Sequence, residues 1–256
     1  MIIMKDYLKF VFIKICVFFI NRFSKTFPNR NIDNSSINKI LVIAPHPDDE
    51  IIGLGGFLIK EVNAKNEVNV LFLTDGESSG AFQDSERIKS ERLNITNQVL
   101  FELNIPAENI FRMHLSDGNV PREGDGNFAE TSERITQLIE KIKPDFVFAT
   151  HYLEYWPYDH LACFELSKDA IQQSKHDPEL WLYWVWTWYN LNLSRLIRSF
   201  KVSKIDIAAE FAQKNRLMDM YLKPLSPEGK PWSGTLPKAM TYAFSKSFEI
   251  VEKYNI

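Results

Sequence analysis

The stretch Ile40-Leu-Val-Ile-Ala44, followed directly by Pro45-His-Pro-Asp-Asp-Glu50, decides the fold. A run of apolar, mostly β-branched residues that ends in a polar turn predicts a buried strand. Similar runs occur downstream, and helical stretches separate them. The predicted strands are 40–44, 68–74, 110–113 and 146–150, and the predicted helices between them are 55–65, 85–103 and 131–143. This alternation predicts an α/β fold, a Rossmann-like and mostly parallel sheet with helices on both faces.

The composition is that of one globular domain with an acidic body. The chain has 256 residues, of which 45% are hydrophobic and 25% charged, enough to bury a full core. Residues 1–30 carry a net charge of +5 and the remainder −8, for a total of −3. Phosphate binding needs a basic surface, so we expect no nucleic acid as a partner. Cys16 and Cys163 are too few for a Cys-rich zinc site, so any metal must be held by His and carboxylate ligands.

The first residues differ from the rest, so we predict an N-terminal segment at 1–38, ending in a linker at 24–38, and a main domain at 39–256. Residues 7–23 are apolar and basic, but their longest charge-free apolar stretch is 15–20. A spanning helix needs about 20 apolar residues, and no small-residue cleavage site follows. Two placements stay open: peripheral contact with a membrane surface, or packing on the protein's own body. We expect a cytoplasmic location, at the inner face of the membrane in the first case.

The chain beyond residue 150 is less regular. Residues 180–189 alternate in pattern and contain four of the six Trp residues. A core or edge strand explains this alternation, and an aromatic wall for a sugar ring or a lipid is the alternative. Two closing helices are predicted at 207–222 and 237–254, with a loop rich in Pro and Gly between them.

Side chains able to hold a metal follow the first predicted strand. His46 comes just before three carboxylates, those of Asp48, Asp49 and Glu50, which would repel one another without a cation or proton. One carboxylate of the Asp pair can bind a metal while its neighbour accepts a proton from water, as metal-assisted hydrolysis requires. A solvated polar turn is the alternative interpretation.

A further ligand must come from another strand end. His151 and His160 both follow the strand at 146–150, and functional groups in open α/β sheets collect at the carboxyl ends of strands. We therefore expect one of them to join the first cluster, and we expect Asp159 to orient a ligand ring or tune its basicity.

The glycines of Gly53-Leu-Gly-Gly56 are a weak signal for nucleotide binding, because the final spacing of the dinucleotide motif is missing. We predict instead that they let a helix pack closely on the sheet.

Taken together, these motifs resemble a known family. The segments Ala44-Pro-His-Pro-Asp-Asp-Glu50, Leu73-Thr-Asp-Gly76, Thr150-His151 and Asp159-His160 are similar to the LmbE-like or PIG-L family of zinc-dependent de-N-acetylases, over about residues 39–166. Members remove acetyl groups from N-acetylglucosaminyl conjugates. The resemblance implies a metal-dependent hydrolase acting on such an amino-sugar conjugate, and the basic, apolar N-terminus favours one that is lipid-linked or an envelope polysaccharide precursor.

The resemblance also implies one zinc ion per chain, a general base and two sugar-binding side chains. The zinc ligands are then His46, Asp49 and His160, the base is Asp48, and the sugar-binding residues are Arg92 and Asp117.

One position departs from the family pattern. The family commonly has His-Pro-Asp-His where this chain has Pro157-Tyr-Asp-His160, so the imidazole that helps to polarise the acyl oxygen is missing. We expect Tyr158 or His151 to donate in its place. Without such a donor the rate falls by about 10²–10³, and a non-catalytic or very slow sugar-binding protein is the alternative function. A metal-dependent glycosyltransferase is a weaker hypothesis, because it leaves both motif histidines without a role.

Overall fold

A computed structural model describes residues 2–27, 37–191 and 202–256, with side chains from residue 7 onward. One sheet of eight strands runs through this part of the chain. Its strands are β1 (Lys25–Thr26), β2 (Lys39–Ala44), β3 (Glu67–Thr74), β4 (Ile110–Leu115), β5 (Phe146–Thr150), β6 (Glu179–Tyr183), β7 (Ser203–Asp206) and β8 (Phe248–Tyr254). Their order across the sheet is β1-β7-β8-β6-β5-β2-β3-β4.

The sheet is mostly parallel, as the sequence predicts. Strand β2 is the middle one of the five neighbouring parallel strands β6-β5-β2-β3-β4 and pairs with β3 and β5, so that Ile40 faces both Val68 and Phe146. Strands β4 and β6 extend the parallel part on either side. Only the β8 pairings, with β6 and with β7, are antiparallel among the described strands.

Helices cover both faces of the sheet, which confirms the predicted α/β fold. The helices are α1 (Ile2–Phe23), α2 (Asp49–Asn63), α3 (Ser85–Glu102), α4 (Phe128–Ile142), α5 (Tyr158–Gln173), α6 (Thr187–Asn190), α7 (Phe211–Leu222) and α8 (Lys238–Phe244). Side chains of β2 alternate between the two cores: Val42 packs into the core under α2 and α7, and Leu41 into the core under α4 and α5. Burial on both faces explains why β2 is apolar after Lys39.

The order of the strands places a crevice beside β2. The chain runs from β2 to β3 and β4 on one side, whereas β5 and β6 lie on the other. The carboxyl ends of β2 and β5 therefore border a topological switch point, where open α/β sheets bind their ligands. The loop after β2 and the loop from β5 into α5 both end there.

Helix α1 packs on the protein's own body, the second of the two predicted placements. One face of the helix is buried, and its residues are spaced by three, one and three positions: Ile13, Cys16, Val17 and Ile20. The opposite face exposes large apolar side chains, among them Phe18, which is 65% exposed. No helix among the described residues combines the length and the apolarity needed to cross a membrane.

The N-terminal segment also contributes to the sheet, because β1 pairs with β7. Most of the predicted linker, residues 28–36, lies outside the described residues. The division between 1–38 and 39–256 therefore stays a prediction.

The predicted closing helices are partly wrong. The helix predicted at 237–254 ends at Phe244, and from Phe248 onward that range forms β8, which inserts between β6 and β7. Phe248 to Glu252 are all buried, so pairing within the sheet outweighs the local helical pattern. The helix predicted at 207–222 begins at Phe211, and the sequence analysis did not foresee β7 before it. Within 180–189, only the first part forms a strand, β6, which lies between β5 and β8.

The glycines of α2 permit close packing, as predicted from the sequence, although α2 begins at Asp49 rather than at residue 55. A Cβ atom on Gly53 would lie 2.4 Å from the Tyr183 ring, and one on Gly56 would lie 2.6 Å from Ile207 Cβ. Both distances are far below van der Waals contact, so only glycine fits at these two positions.

A buried ion pair between α7 and β8 contacts the backbone of the same helix. Lys214 Nζ lies 2.6 Å from Glu249 Oε1 and donates to the Ile52 carbonyl at 3.0 Å. Glu249 in turn accepts the backbone N–H groups of Gly56 and Phe57 at 2.8 and 2.9 Å. The pair thus satisfies backbone groups inside α2 and links this helix to α7 and β8.

We predict that Gly56→Ala lowers the free energy of unfolding by about 1–3 kcal/mol, because the added methyl group overlaps Ile207 in a packed core. Gly126→Ala is the control, since a Cβ there meets no atom within 4 Å. Urea denaturation of the two variants measures the difference. Equal stability of both would contradict the account of this helix.

Candidate metal centre

The loop between β2 and α2 is held by its neighbours. Both the backbone N–H and the hydroxyl of Thr74 donate to the Pro45 carbonyl, at 3.0 and 2.9 Å, and so join the loop to the end of β3. Asp48 then takes a φ of 121°, a value that non-glycine residues seldom adopt. Its N–H donates to Glu50 Oε2 at 2.9 Å, and Glu50 Oε1 accepts the Tyr221 hydroxyl at 2.6 Å. A buried carboxylate therefore holds Asp48 in this strained conformation.

The three predicted metal ligands lie together at the switch point. His46 Nδ1 is 3.1 Å from Asp49 Oδ2, and His160 Nε2 is 3.3 Å from the same oxygen. Ligand atoms of the three side chains all lie within 4.8 Å of one another, close enough to share one metal ion. His46 follows β2, Asp49 begins α2, and His160 lies in the first turn of α5, so three elements build the cluster.

A glutamate fixes the ring of His160. Glu154 Oε2 lies 2.6 Å from His160 Nδ1, and both side chains are fully buried. A proton on Nδ1 satisfies this carboxylate and leaves the lone pair on Nε2, a tautomer that we assign from the hydrogen-bond network. His160 Nε2 is buried and makes no hydrogen bond with any described residue. A buried nitrogen of this kind, aimed at Asp49, suits a metal ion.

Two carboxylates lie on the far side of the His46 ring. His46 Nε2 is 3.2 Å from Asp117 Oδ1 and also 3.2 Å from Asp159 Oδ2. Asp159 further accepts the backbone N–H groups of Gly118 and Val120, at 2.6 and 3.1 Å. Asp159, which we expect to orient a ligand ring, contacts the ring of His46 rather than that of His160, because its position at the start of α5 points it towards the loop after β4.

A second group, formed by His46, Asp117 and Asp159, also has the spacing of a metal site. The carboxylates of both groups accept backbone N–H groups, from Ser78 for Asp117, from Gly118 for Asp159 and from His46 for Asp49, so this feature does not separate the two groups. The second group lacks a second imidazole, whereas the group with Asp49 and His160 offers two imidazoles and one carboxylate, a donor set that zinc uses. The residues of the latter group fit a metal ion better.

The charges at this cluster need a cation. Burial alone would lower the pKa of His46, but hydrogen bonds to Asp117, Asp159 and Asp49 raise it well above its usual value. Burial would raise the pKa of Asp117, but the hydrogen bond and charge of His46, the Ser78 N–H group and the charge of Arg92 together outweigh it and bring the pKa to about 2. Without a metal, the proton on His46 is thus the positive charge that the surrounding carboxylates share.

Arg92 lies beside Asp48. Its guanidinium donates to Asp48 Oδ2 at 3.2 Å and to the carbonyls of Gly76 and Pro47, and its residue is 3% exposed. Burial raises the pKa of Asp48 well above its usual value, and the charge of Arg92 opposes this rise. The structure therefore ties Arg92 to the loop of Asp48 and to the end of β3. Its predicted contact with a sugar stays a prediction.

A cavity of about 290 Å³ opens on this cluster. Its polar lining residues include His46, Asp48, Asp49, Arg92 and Asp117, which we call the polar side. Its apolar lining residues include Trp156, Pro157, Trp186 and Leu236, which we call the apolar wall. Residues 233–235, between α7 and α8, also line the cavity. Such a cavity suits a ligand with one polar and one apolar part.

The two predicted substitutes for the missing imidazole do not lie in this cavity. His151 is fully buried, accepts the Leu153 N–H at Nδ1, and lies 3.0 Å from Glu252 Oε2 through Nε2, so both ring nitrogens have partners. Tyr158 is 63% exposed and does not line the cavity. These two expectations are wrong. The His151 ring contacts Glu252 on β8 instead of the cavity, and Tyr158, in the first turn of α5, is exposed to solvent.

Comparison with known proteins agrees with this geometry. The sequence model of PIG-L, described as GlcNAc-PI de-N-acetylase, matches residues 41–171. That range runs from β2 through α5 and includes every residue of the cluster. The chain belongs to the PIG-L family. The resemblance noted in the sequence is thereby confirmed.

Solved structures share the fold of this PIG-L protein. N,N'-diacetylchitobiose deacetylase from Pyrococcus horikoshii superposes with a TM-score of 0.58 at 21% identity, covering 76% of this chain and 73% of the other. The 4-carboxy-2-hydroxymuconate hydratase GalB from Pseudomonas putida gives 0.57 at 16% identity, covering 72% and 78%. A zinc-inhibited form of teicoplanin deacetylase gives 0.55 at 12% identity, covering 85% and 99%. Because one neighbour is a hydratase, the fold alone does not fix the reaction.

Two side chains at this site, those of Glu154 and Ser233, were not predicted from the sequence. Glu154 is a single acidic residue in the loop after β5, and no spacing rule pairs it with His160 six residues later. The Ser233 hydroxyl is shielded from solvent, makes no hydrogen bond within the described part of the chain, and belongs to a residue that lines the cavity. Its only signal in the sequence was a place within a Pro/Gly-rich loop.

We predict that Glu154→Gln weakens zinc binding by roughly 10- to 100-fold, because an amide in place of this carboxylate reduces the basicity and fixation of the His160 ring. Glu165→Gln is the control, since Glu165 lies in the middle of α5 and pairs with Arg122 rather than with a ligand ring. Competition with a chromophoric chelator measures both affinities. Unchanged affinity of the Glu154 variant would show that His160 does not bind the metal.

We predict that zinc binding to the metal-free protein releases protons near neutral pH. The raised pKa of His46 means that a proton occupies the site below that pKa, and the metal must displace it. The apparent affinity should therefore rise by about tenfold per pH unit until the pH passes this pKa. Calorimetric titrations in buffers of different ionisation enthalpy count the protons. Binding without proton release would contradict this assignment.

Proposed function

We propose that this protein is a metal-dependent hydrolase that removes the acetyl group from an N-acetylated amino sugar. The observation that carries the proposal is the group of His46, Asp49 and His160, with the buried Asp48 carboxylate adjacent and a cavity open beside it. Membership of the PIG-L family and the deacetylases among the structural neighbours support the same reaction.

One zinc ion per chain is the proposed cofactor. Two imidazoles and a carboxylate suit zinc, and they also suit iron or cobalt. A neighbour described as a zinc-inhibited deacetylase supports zinc binding in this fold. When bound, the metal would supply Lewis-acid polarisation of the attacking water and of the acyl oxygen.

The protein's own residues move the proton. Asp48 accepts a proton from the attacking water and returns it to the nitrogen as the amide bond breaks, so that acetate and a free amine leave. Arg92 holds the Asp48 carboxylate from behind and keeps it aimed at the cavity. The charge of Arg92 also stabilises the ionised form that accepts the proton.

Sugar recognition is proposed for the polar side of the cavity. Asp117 and Arg92 are the side chains that the family pattern assigns to the sugar, and both line the cavity. The Ser233 hydroxyl adds a donor that no described residue engages. We assign it to a sugar hydroxyl or to the acyl oxygen, in place of the missing imidazole.

A lipid-linked substrate and a position at the inner face of a membrane are also part of the proposal. Helix α1 exposes Tyr7, Leu8, Phe18 and Phe23 on the side away from the core. Arg22 and Lys25 lie beside this face and suit an anionic lipid surface.

A sugar-binding protein with little or no turnover is the second candidate. Pro157 lines the cavity where the family commonly has an imidazole, and neither His151 nor Tyr158 replaces it there. This candidate keeps the cavity and the metal but lacks the full set of donors to the oxyanion. Saturable sugar binding by the metal-loaded protein, without acetate release over long incubation, would establish it.

We predict that Asp48→Asn abolishes acetate release from N-acetylglucosaminyl glycosides and keeps about one zinc ion per chain, because the amide cannot accept the proton and is not a ligand. Acetate assays and elemental analysis of the purified protein measure the two quantities. Asp219→Asn, an exposed position paired with Lys223 on α7, is the control. Turnover by the Asp48 variant, or loss of its metal, would contradict the proposed role.

A further inference from the structure

The apolar wall of the cavity exposes two tryptophans. The rings of Trp156 and Trp186 meet edge to face, with centroids 4.7 Å apart and planes at 86°. Trp156 is 50% exposed and lines the open cavity beside the metal cluster. Large aromatic side chains left partly exposed at a cavity indicate a binding surface for apolar groups.

The two tryptophans are fixed relative to the metal centre. Glu154 Oε1 accepts the N–H groups of Val185 and Thr187, at 2.7 and 2.8 Å, and these residues flank Trp186 on both sides. The other oxygen of the same carboxylate holds His160. Asn190 Nδ2 donates to the Trp156 carbonyl at 3.1 Å. One buried carboxylate thus sets the distance between the apolar wall and the ligand ring.

The apolar wall continues towards α1. The Trp186 ring packs against Tyr189, with centroids 6.1 Å apart. Lys9 of α1 lies over the Tyr189 ring, with Nζ 5.2 Å from its centroid. Beyond it, α1 exposes Tyr7 and Leu8, which are 65% and 61% exposed. The aromatic side chains therefore lead from the cavity to the exposed apolar face of the N-terminal helix.

We propose that Trp156 and Trp186 form a subsite for an apolar chain attached to the anomeric carbon of the amino sugar. This inference rests on the proposed function, because it takes the amide to lie at the metal centre and the aglycone to point away from it. The polar side of the cavity then binds the sugar, and the apolar wall binds the first methylene groups of the chain. A second sugar ring is a different occupant, which the experiment distinguishes.

The test uses glycosides of glucosamine, which carry no amide, so binding is measured whether or not the protein is a deacetylase. Calorimetry on the metal-loaded full chain compares methyl and hexyl glucosaminide, and chitobiose, which has two sugar rings. We expect the hexyl glycoside to bind at least about tenfold more tightly than the methyl glycoside, since each buried methylene contributes about 0.8 kcal/mol. We expect Trp156→Ala and Trp186→Ala to reduce this ratio to about threefold or less.

Two further variants serve as controls. Trp156→Phe retains an aromatic ring and should retain most of the ratio. Phe101→Ala removes an aromatic side chain that is 83% exposed on α3, away from the cavity, and should leave the ratio unchanged. A hexyl advantage that survives both Trp→Ala changes would overturn the subsite. So would a Trp-dependent advantage for chitobiose with none for the hexyl glycoside. If the ratio behaves as expected and no acetate is released from N-acetylated substrates, the subsite stands and the proposed reaction fails.

Discussion

Three carboxylates converge on a single imidazole, and the rest of the site depends on this convergence. Asp49, Asp117 and Asp159 each place an oxygen 3.1 to 3.2 Å from a ring nitrogen of His46. They follow three different strands, so the electrostatic repulsion between them acts on the segments that border the crevice. A proton on the imidazole balances part of this charge. A divalent cation beside Asp49 and His160 balances more of it and gives the arrangement a chemical use.

Around this cluster, the fold keeps charged groups in place by pairing each of them. Arg92 links the loop of Asp48 to the end of β3, and Glu154 links His160 to the segment after β6. Each of these side chains holds two backbone segments at once, so the ligand rings cannot shift without moving neighbouring loops. Preorganisation of this kind lets a small number of residues direct a metal and a base at one bond.

The centre of the fold was predictable from sequence, and its periphery was not. The parallel strands around β2 are continuous apolar runs followed by turns, whereas their order across the sheet, and with it the switch point, comes from the structure alone. The sequence pattern predicts a helix where the structure has β8, because a local pattern cannot reveal that a C-terminal segment inserts between two earlier strands. That error also hid the partner of His151, since Glu252 lies on β8. The placement of α1 was left open, because one apolar helix face suits a core as well as a membrane.

The most direct test is a crystal structure of the zinc-loaded protein, with anomalous diffraction recorded at the zinc absorption edge. The account predicts one anomalous peak at about 2.0–2.2 Å from one nitrogen of His46, one nitrogen of His160 and one oxygen of Asp49. A peak bound instead by His46, Asp117 and Asp159, with the His160 ring left without a metal, would contradict it.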